Sequence, residues 1–142
     1  MTSRPDPPGS LIDSDARLLQ HWRNAMGEGG FGVRTLWLVF LDRDDHTLPV
    51  IVPIEDIPRR PEPGWLDDLM AVVGLVRRDE PGLGLAALLS RPGPATKSLD
   101  DRTWARDLVR AARRHGVRMW PVHLATADEV QVMAADDLIG VG

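Results

Sequence analysis

The sequence predicts a single α/β domain: a mixed β-sheet of about five strands flanked by three helices, in the order α-β-β-α-β-α-β-β. Three observations lead there. The 142 residues suit one domain and bury an ordinary core without staples. Apolar residues recur at three-to-four spacing in three windows, each closed by glycine or proline. Short apolar runs lie between and after these windows, as strands covered by helices require. Residues 1–12, opening "MTSRPDPPGS", read as a disordered leader, because proline and small polar residues cannot bury enough apolar surface. Residues 13–142 form the domain.

The first helix is expected from Ser14 to about Met26, with Leu18, Leu19, Trp22 and Met26 on its buried face. Asp13 or Ser14 caps it, a short side-chain oxygen accepting from a free first-turn amide. "GEGGFG" ends it, because glycine is costly in a helix and frees the chain to turn. Leu36 to Leu41 is an unbroken apolar run and a buried strand, "RDDHT" a polar turn, and Leu48 to Ile54 the return strand of a hairpin. Pro49 and Pro53 give the ladder no donor, so that strand belongs at an edge or is broken at its ends.

Trp65 to Arg78 is the second helix, with Trp65, Leu69, Val72, Val73 and Val76 inward. Leu83 to Ser90, flanked by glycine and proline, reads as a central strand. Leu99 to His115 is the third helix, burying Trp104, Leu108, Ala111, Ala112 and His115 and stopping at Gly116. "VRMWPVHLAT" is the fourth strand, "VQVM" the fifth, and "AADDLIG" a terminal turn or short helix. The strand-helix-strand-helix-strand order implies right-handed crossovers.

Composition excludes several functions. With no cysteine, disulfides, thiolate catalysis and sulfur-ligated metals are ruled out, and a cytoplasmic location is expected. No apolar run is long enough to span a membrane. A net charge of −4 gives no general attraction to phosphate backbones. Arg102, Arg106, Arg110, Arg113 and Arg114 share the third helix with Asp100, Asp101 and Asp107, and tyrosine is absent. That helix therefore reads as a solvated face with internal ion pairs, and a nucleic-acid partner is not expected.

The chemistry concentrates in "LLSRPGPATKSLDDRTWARDL". Ser98-x-x-Asp101 opens the third helix as a near capping box, with an acid placed favourably at the helix dipole. The same strand, proline loop, S-x-x-D and helix, in this order of elements, resembles the JAB/MPN metalloprotease superfamily, nearest its RadC-like branch. The resemblance covers about Val33 to Asp137. It implies H-x-H-P before S-x-x-D, metal ligation by two histidines and the aspartate, and a glutamate near the first strand. Pro92, Ser98 and Asp101 match that pattern, while Leu89 and Arg91 stand at the histidine positions and Gly32, Val33 and Arg34 where the glutamate is expected. One carboxylate cannot hold a catalytic zinc, which takes three protein ligands and an open position. The resemblance thus implies a non-catalytic module that has no metal and needs no cofactor. Arg91, Ser98 and Asp101 form its ligand-binding cleft, and Arg91 takes an acidic group there. A protein partner or a second copy is the expected ligand, through this cleft or through the edge strand from Leu48 to Ile54.

The alternative is a hydrolase with an unusual site of Asp101, His123, Glu55 and Ser90. Neither G-x-S-x-G nor a paired histidine motif is present to support it. "DRDDH", from Asp42 to His46, lacks the glycine and distal glutamate of a calcium loop and reads as a solvated turn. "GEGGFG" lies between a helix and a strand, the reverse of a dinucleotide loop.

Overall fold

The structure is a computed structural model that describes residues 9–27, 31–134 and 138. It contains α1 (Asp15–Met26), β1 (Thr35–Leu41), β2 (Thr47–Ile54), α2 (Trp65–Asp79), β3 (Gly84–Ser90), α3 (Leu99–Arg114), β4 (Arg118–Met119), β5 (His123–Ala125) and β6 (Val130–Val132). The sheet runs β2-β1-β3-β5-β6, with β4 also on β3. β1 is antiparallel to both β2 and β3, and β4 and β5 are parallel to β3. β5 and β6 form the second antiparallel pair. The strands β2, β3 and β5 therefore run in one direction with β1 inserted between the first two. The crossovers through α2 and α3 advance the same way across the sheet, so one handedness places both helices on one face.

Strand alternation separates two cores. Leu36, Leu38, Leu85, Ala87, Leu89 and Leu124 face α2 and α3, where Met70, Trp104 and Leu108 are fully buried. Val39, Leu41, Ala86, Leu88 and Ala125 face α1 and pack on Leu18 and Trp22. Every residue of β3 is buried, which explains its continuous apolar run. Trp65 meets Trp104 edge to face at 5.9 Å, joining α2 to α3. Among the described residues no helix is long and apolar enough to cross a membrane.

Four expectations are corrected. The fourth strand is two pieces, because Pro121 has no N–H and the chain leaves the β3 ladder around it. The inner face of α2 is Leu66, Met70 and Val73, whereas Val72 and Val76 are 56% and 40% exposed. That helix is apolar on several sides, so spacing alone did not fix its phase. Residues 9–12, placed in the leader, pair with the β1–β2 turn through Gly9 N–H to Thr47 O, Thr47 N–H to Ser10 O and Ile12 N–H to Asp45 O. His115, placed in the inner stripe of α3, is half-buried at the helix C-cap and meets Asp67 at 3.1 Å. Residues 1–8 and most of "AADDLIG" lie outside the described residues.

β2 is the edge strand its prolines require. Leu48, Pro49 and Val50 lie opposite Phe40 in a bulge, since Val39 pairs with Ile51 and Leu41 with Thr47. The "DRDDH" turn is closed by the Asp42 carboxylate, which accepts from Asp44 N–H at 2.9 Å and His46 N–H at 3.0 Å. Arg118 ties the turn to the rest of the fold by an ion pair with Asp45 and bonds to the carbonyls of Asp42 and Gly82.

Candidate functional site

The cleft lies where β3 ends and α3 begins. Ser98 caps α3 by accepting from Asp101 N–H at 3.1 Å, and the Asp101 carboxylate accepts from Ser98 N–H at 2.8 Å. The near capping box is therefore a complete one. Asp101 is fully buried.

Arg91 continues the β3 alternation of Leu85, Ala87 and Leu89 and so projects to the α3 face. Its guanidinium grips the Asp101 carboxylate in a fork, Nε to Oδ1 at 2.8 Å and Nη2 to Oδ2 at 2.7 Å. Its other bonds go to the loop between β3 and α3: Nη1 to Pro92 O at 3.0 Å and Pro94 O at 2.9 Å, and Nη2 to Thr96 O at 3.0 Å. A guanidinium has five N–H bonds, and all of them are used. "RPGPAT" suits this work, because prolines offer carbonyls without competing N–H groups. Gly93 permits the close wrap: its φ is +99°, and a Cβ there would lie 3.2 Å from Arg91 Nη1. From β6, Gln131 Nε2 donates to Ala95 O at 2.6 Å and anchors the same loop.

Burial pushes the Asp101 carboxyl up, but hydrogen bonds from Arg91 and Ser98 outweigh it and hold the group below the usual carboxylate range. The Asp101 hydrogen bond holds Arg91 firmly protonated.

This donor set does not fit a metal. Both Asp101 oxygens face a fixed positive charge, and Leu89 is a core residue only 1% exposed. The acid that Arg91 takes is Asp101 of its own chain, which leaves Arg91 no free N–H for a ligand. A second cation stands beside the pair. Arg34, just before β1, has its side chain 19% exposed, with Nη1 3.6 Å from Asp101 Oδ1. Two guanidiniums thus share one carboxylate, and the cluster carries a charge of about +1. In the sequence Arg34 stands only where the resemblance expects a glutamate. Extending the β1 alternation of Leu36 and Leu38 back by one step places Arg34 on the α3 face.

The residues of the alternative hydrolase site do not converge. His123 pairs with Leu88 and Ser90 with Ala125, and Leu88 and Ala125 face α1. The sheet therefore stands between these two side chains and Asp101. Ser90 Oγ accepts from Trp37 Nε1 at 2.9 Å. His123 is fully buried; Nδ1 lies 3.1 Å from Pro121 O, while Nε2 has no hydrogen-bond partner among the described residues. Burial depresses its pKa to about 4, so the imidazole is neutral at physiological pH. Glu55 is exposed beyond β2, lining a cavity of about 210 Å³ with Asp56, Glu62, Trp65 and Trp104.

No protein-family model matches the chain, and no curated protein matches it.

Proposed function

We propose that the chain is a non-catalytic binding module of JAB/RadC-like outline, working in the cytoplasm without metal or cofactor. Its cleft takes an acidic group of a protein partner. Arg34 makes the contact, while Arg91, Ser98 and Asp101 build the wall that holds it. What supports this reading is the charge inequality: one buried carboxylate answers two guanidiniums, and Arg91 uses all its donors internally. Arg34 has no hydrogen bond from its guanidinium to any described residue, and its partial burial strengthens attraction for a carboxylate. Ser98 to Asp101, the remnant that carries the resemblance, positions these charges rather than reacting.

Calorimetric titration with an N-acetylated tetraglutamate peptide tests this. Saturable binding that weakens with salt and is lost in Arg34→Gln is expected. Equal binding by wild type and Arg34→Gln, or none by either, overturns the proposal. A stoichiometric zinc ion that dissociates from Asp101→Asn would restore the metalloenzyme reading.

A further inference from the structure

We infer that a second site, between α3 and the edge at β4 and β5, binds a small molecule with an apolar body and a single carboxylate. Its origin is the broken strand. Trp120 N–H still bonds Leu85 O at 2.9 Å, but Pro121 cannot donate, and the ladder resumes only at His123. Met133 N–H donates to Val122 O at 2.7 Å, and among the described residues no strand lies beside β4.

The notch opens a pocket of about 290 Å³ between α3 and this edge. Ala105 and Val109 of α3 form one wall, Met119, Trp120, Pro121, Val122 and Met133 form the other, and Leu138 also lines the pocket. Val122 and Met133 are buried at its floor, while Val109, Met119 and Trp120 are half-buried at its sides. The volume lies at the low end of small-molecule sites, and the flexible methionines can shape themselves around alkyl or aryl groups beside the flat tryptophan ring.

Charge complementarity selects the head group. Arg113 is the one charged side chain among the described residues lining the pocket. It is exposed at the rim and has no ion pair or hydrogen bond from its guanidinium to the described residues. The neighbouring Arg114 differs, because it is committed to Asp67 at 2.9 Å. A greasy cavity with one free planar cation at its mouth suits a carboxylate tail-first, with the oxygens in the guanidinium fork. This site is independent of the Arg34 cleft.

The test is a titration of the full chain with octanoate, octanol and octylamine, followed through the methyl resonances of Val109, Met119, Val122 and Met133. Octanoate should shift these four saturably, octanol more weakly and octylamine least. Arg113→Gln, an exposed change that leaves folding intact, should weaken octanoate roughly tenfold and leave octanol unchanged. Arg113→Lys should recover part of the loss. No saturable shift with octanoate, equal response to octanoate and octylamine, or shifts confined to other methyls would each overturn the inference.

Discussion

Replacing Arg91 by alanine strikes the most heavily bonded side chain in the cleft. The change leaves Asp101 charged and fully buried without its fork, and strips the carbonyls of Pro92, Pro94 and Thr96 of their donors. Removing one partner of a buried ion pair costs about 3–5 kcal/mol, and Arg34, 3.6 Å from Asp101 Oδ1, still answers part of the charge that Arg91 leaves behind. The exposed rim of the loop lets water reach some of the freed carbonyls, so the central expectation is about 4 kcal/mol. Domains of this kind have a total stability of about 5–15 kcal/mol, so the variant folds but is markedly weakened. With a urea m-value of about 2 kcal/mol per molar, the midpoint falls by about 2 M. The pH dependence also changes sign. In the wild type the Asp101 carboxyl is held low, so its contribution is complete above its unfolded value of about 4 and is lost as the pH falls through the lower folded value. In Arg91→Ala burial is unopposed by the fork, the carboxyl rises, and the deficit should shrink as the pH approaches 4. Urea unfolding at pH 7 and pH 4.5 reads both effects. A loss below about 1 kcal/mol, or a deficit that grows on acidification, would refute the reasoning.

His123→Phe should remove an acid sensitivity. Because the folded pKa is depressed from 6.5 to about 4, stability is present above 6.5 and is lost as the pH falls toward 4, by about 3 kcal/mol in thermal melts of the wild type. The variant should lack that segment of the curve, and an unchanged curve would count against a neutral buried imidazole. Ser98→Ala removes the N-cap of α3 and should cost about 1 kcal/mol in urea unfolding, with Ser98→Asp recovering part of it. Gly93→Ala should cost about 1–3 kcal/mol, since its φ is +99° and the new Cβ would crowd Arg91. A neutral melt for that variant would place the loop elsewhere.

How far the sequence could be read follows from what each residue depends on. Local chemistry was legible: Ser98 and Ser14 cap the helices they precede, and β3 is as buried as its apolar run implied. Pro49 and Pro53 pointed to an edge or a break, and β2 is an edge strand with Pro49 in its bulge. Pro121 carried the same warning for the fourth strand, but its apolar neighbours masked the break. α2 hid its phase because Trp65, Leu66, Leu69, Met70, Val72, Val73 and Val76 leave no clean polar face. The cleft was half legible. Spacing placed Arg91 and Asp101 near one loop, but that they bind each other depends on long-range register. Whether Ser90 and His123 could join Asp101 depended on which face of the sheet each occupies, and their strands meet only through the parallel β3–β5 pairing.

The central claim is a division of labour between two arginines: Arg91 is wholly occupied by its own chain, and Arg34 is open to an acidic group. Nitrogen-15 spectra of the arginine Nε–H groups during titration with inorganic phosphate test it most directly. The Arg34 resonance should move saturably while the Arg91 resonance stays in place and exchanges slowly with water. Movement of Arg91 with Arg34 unaffected, or silence from both, would contradict the account.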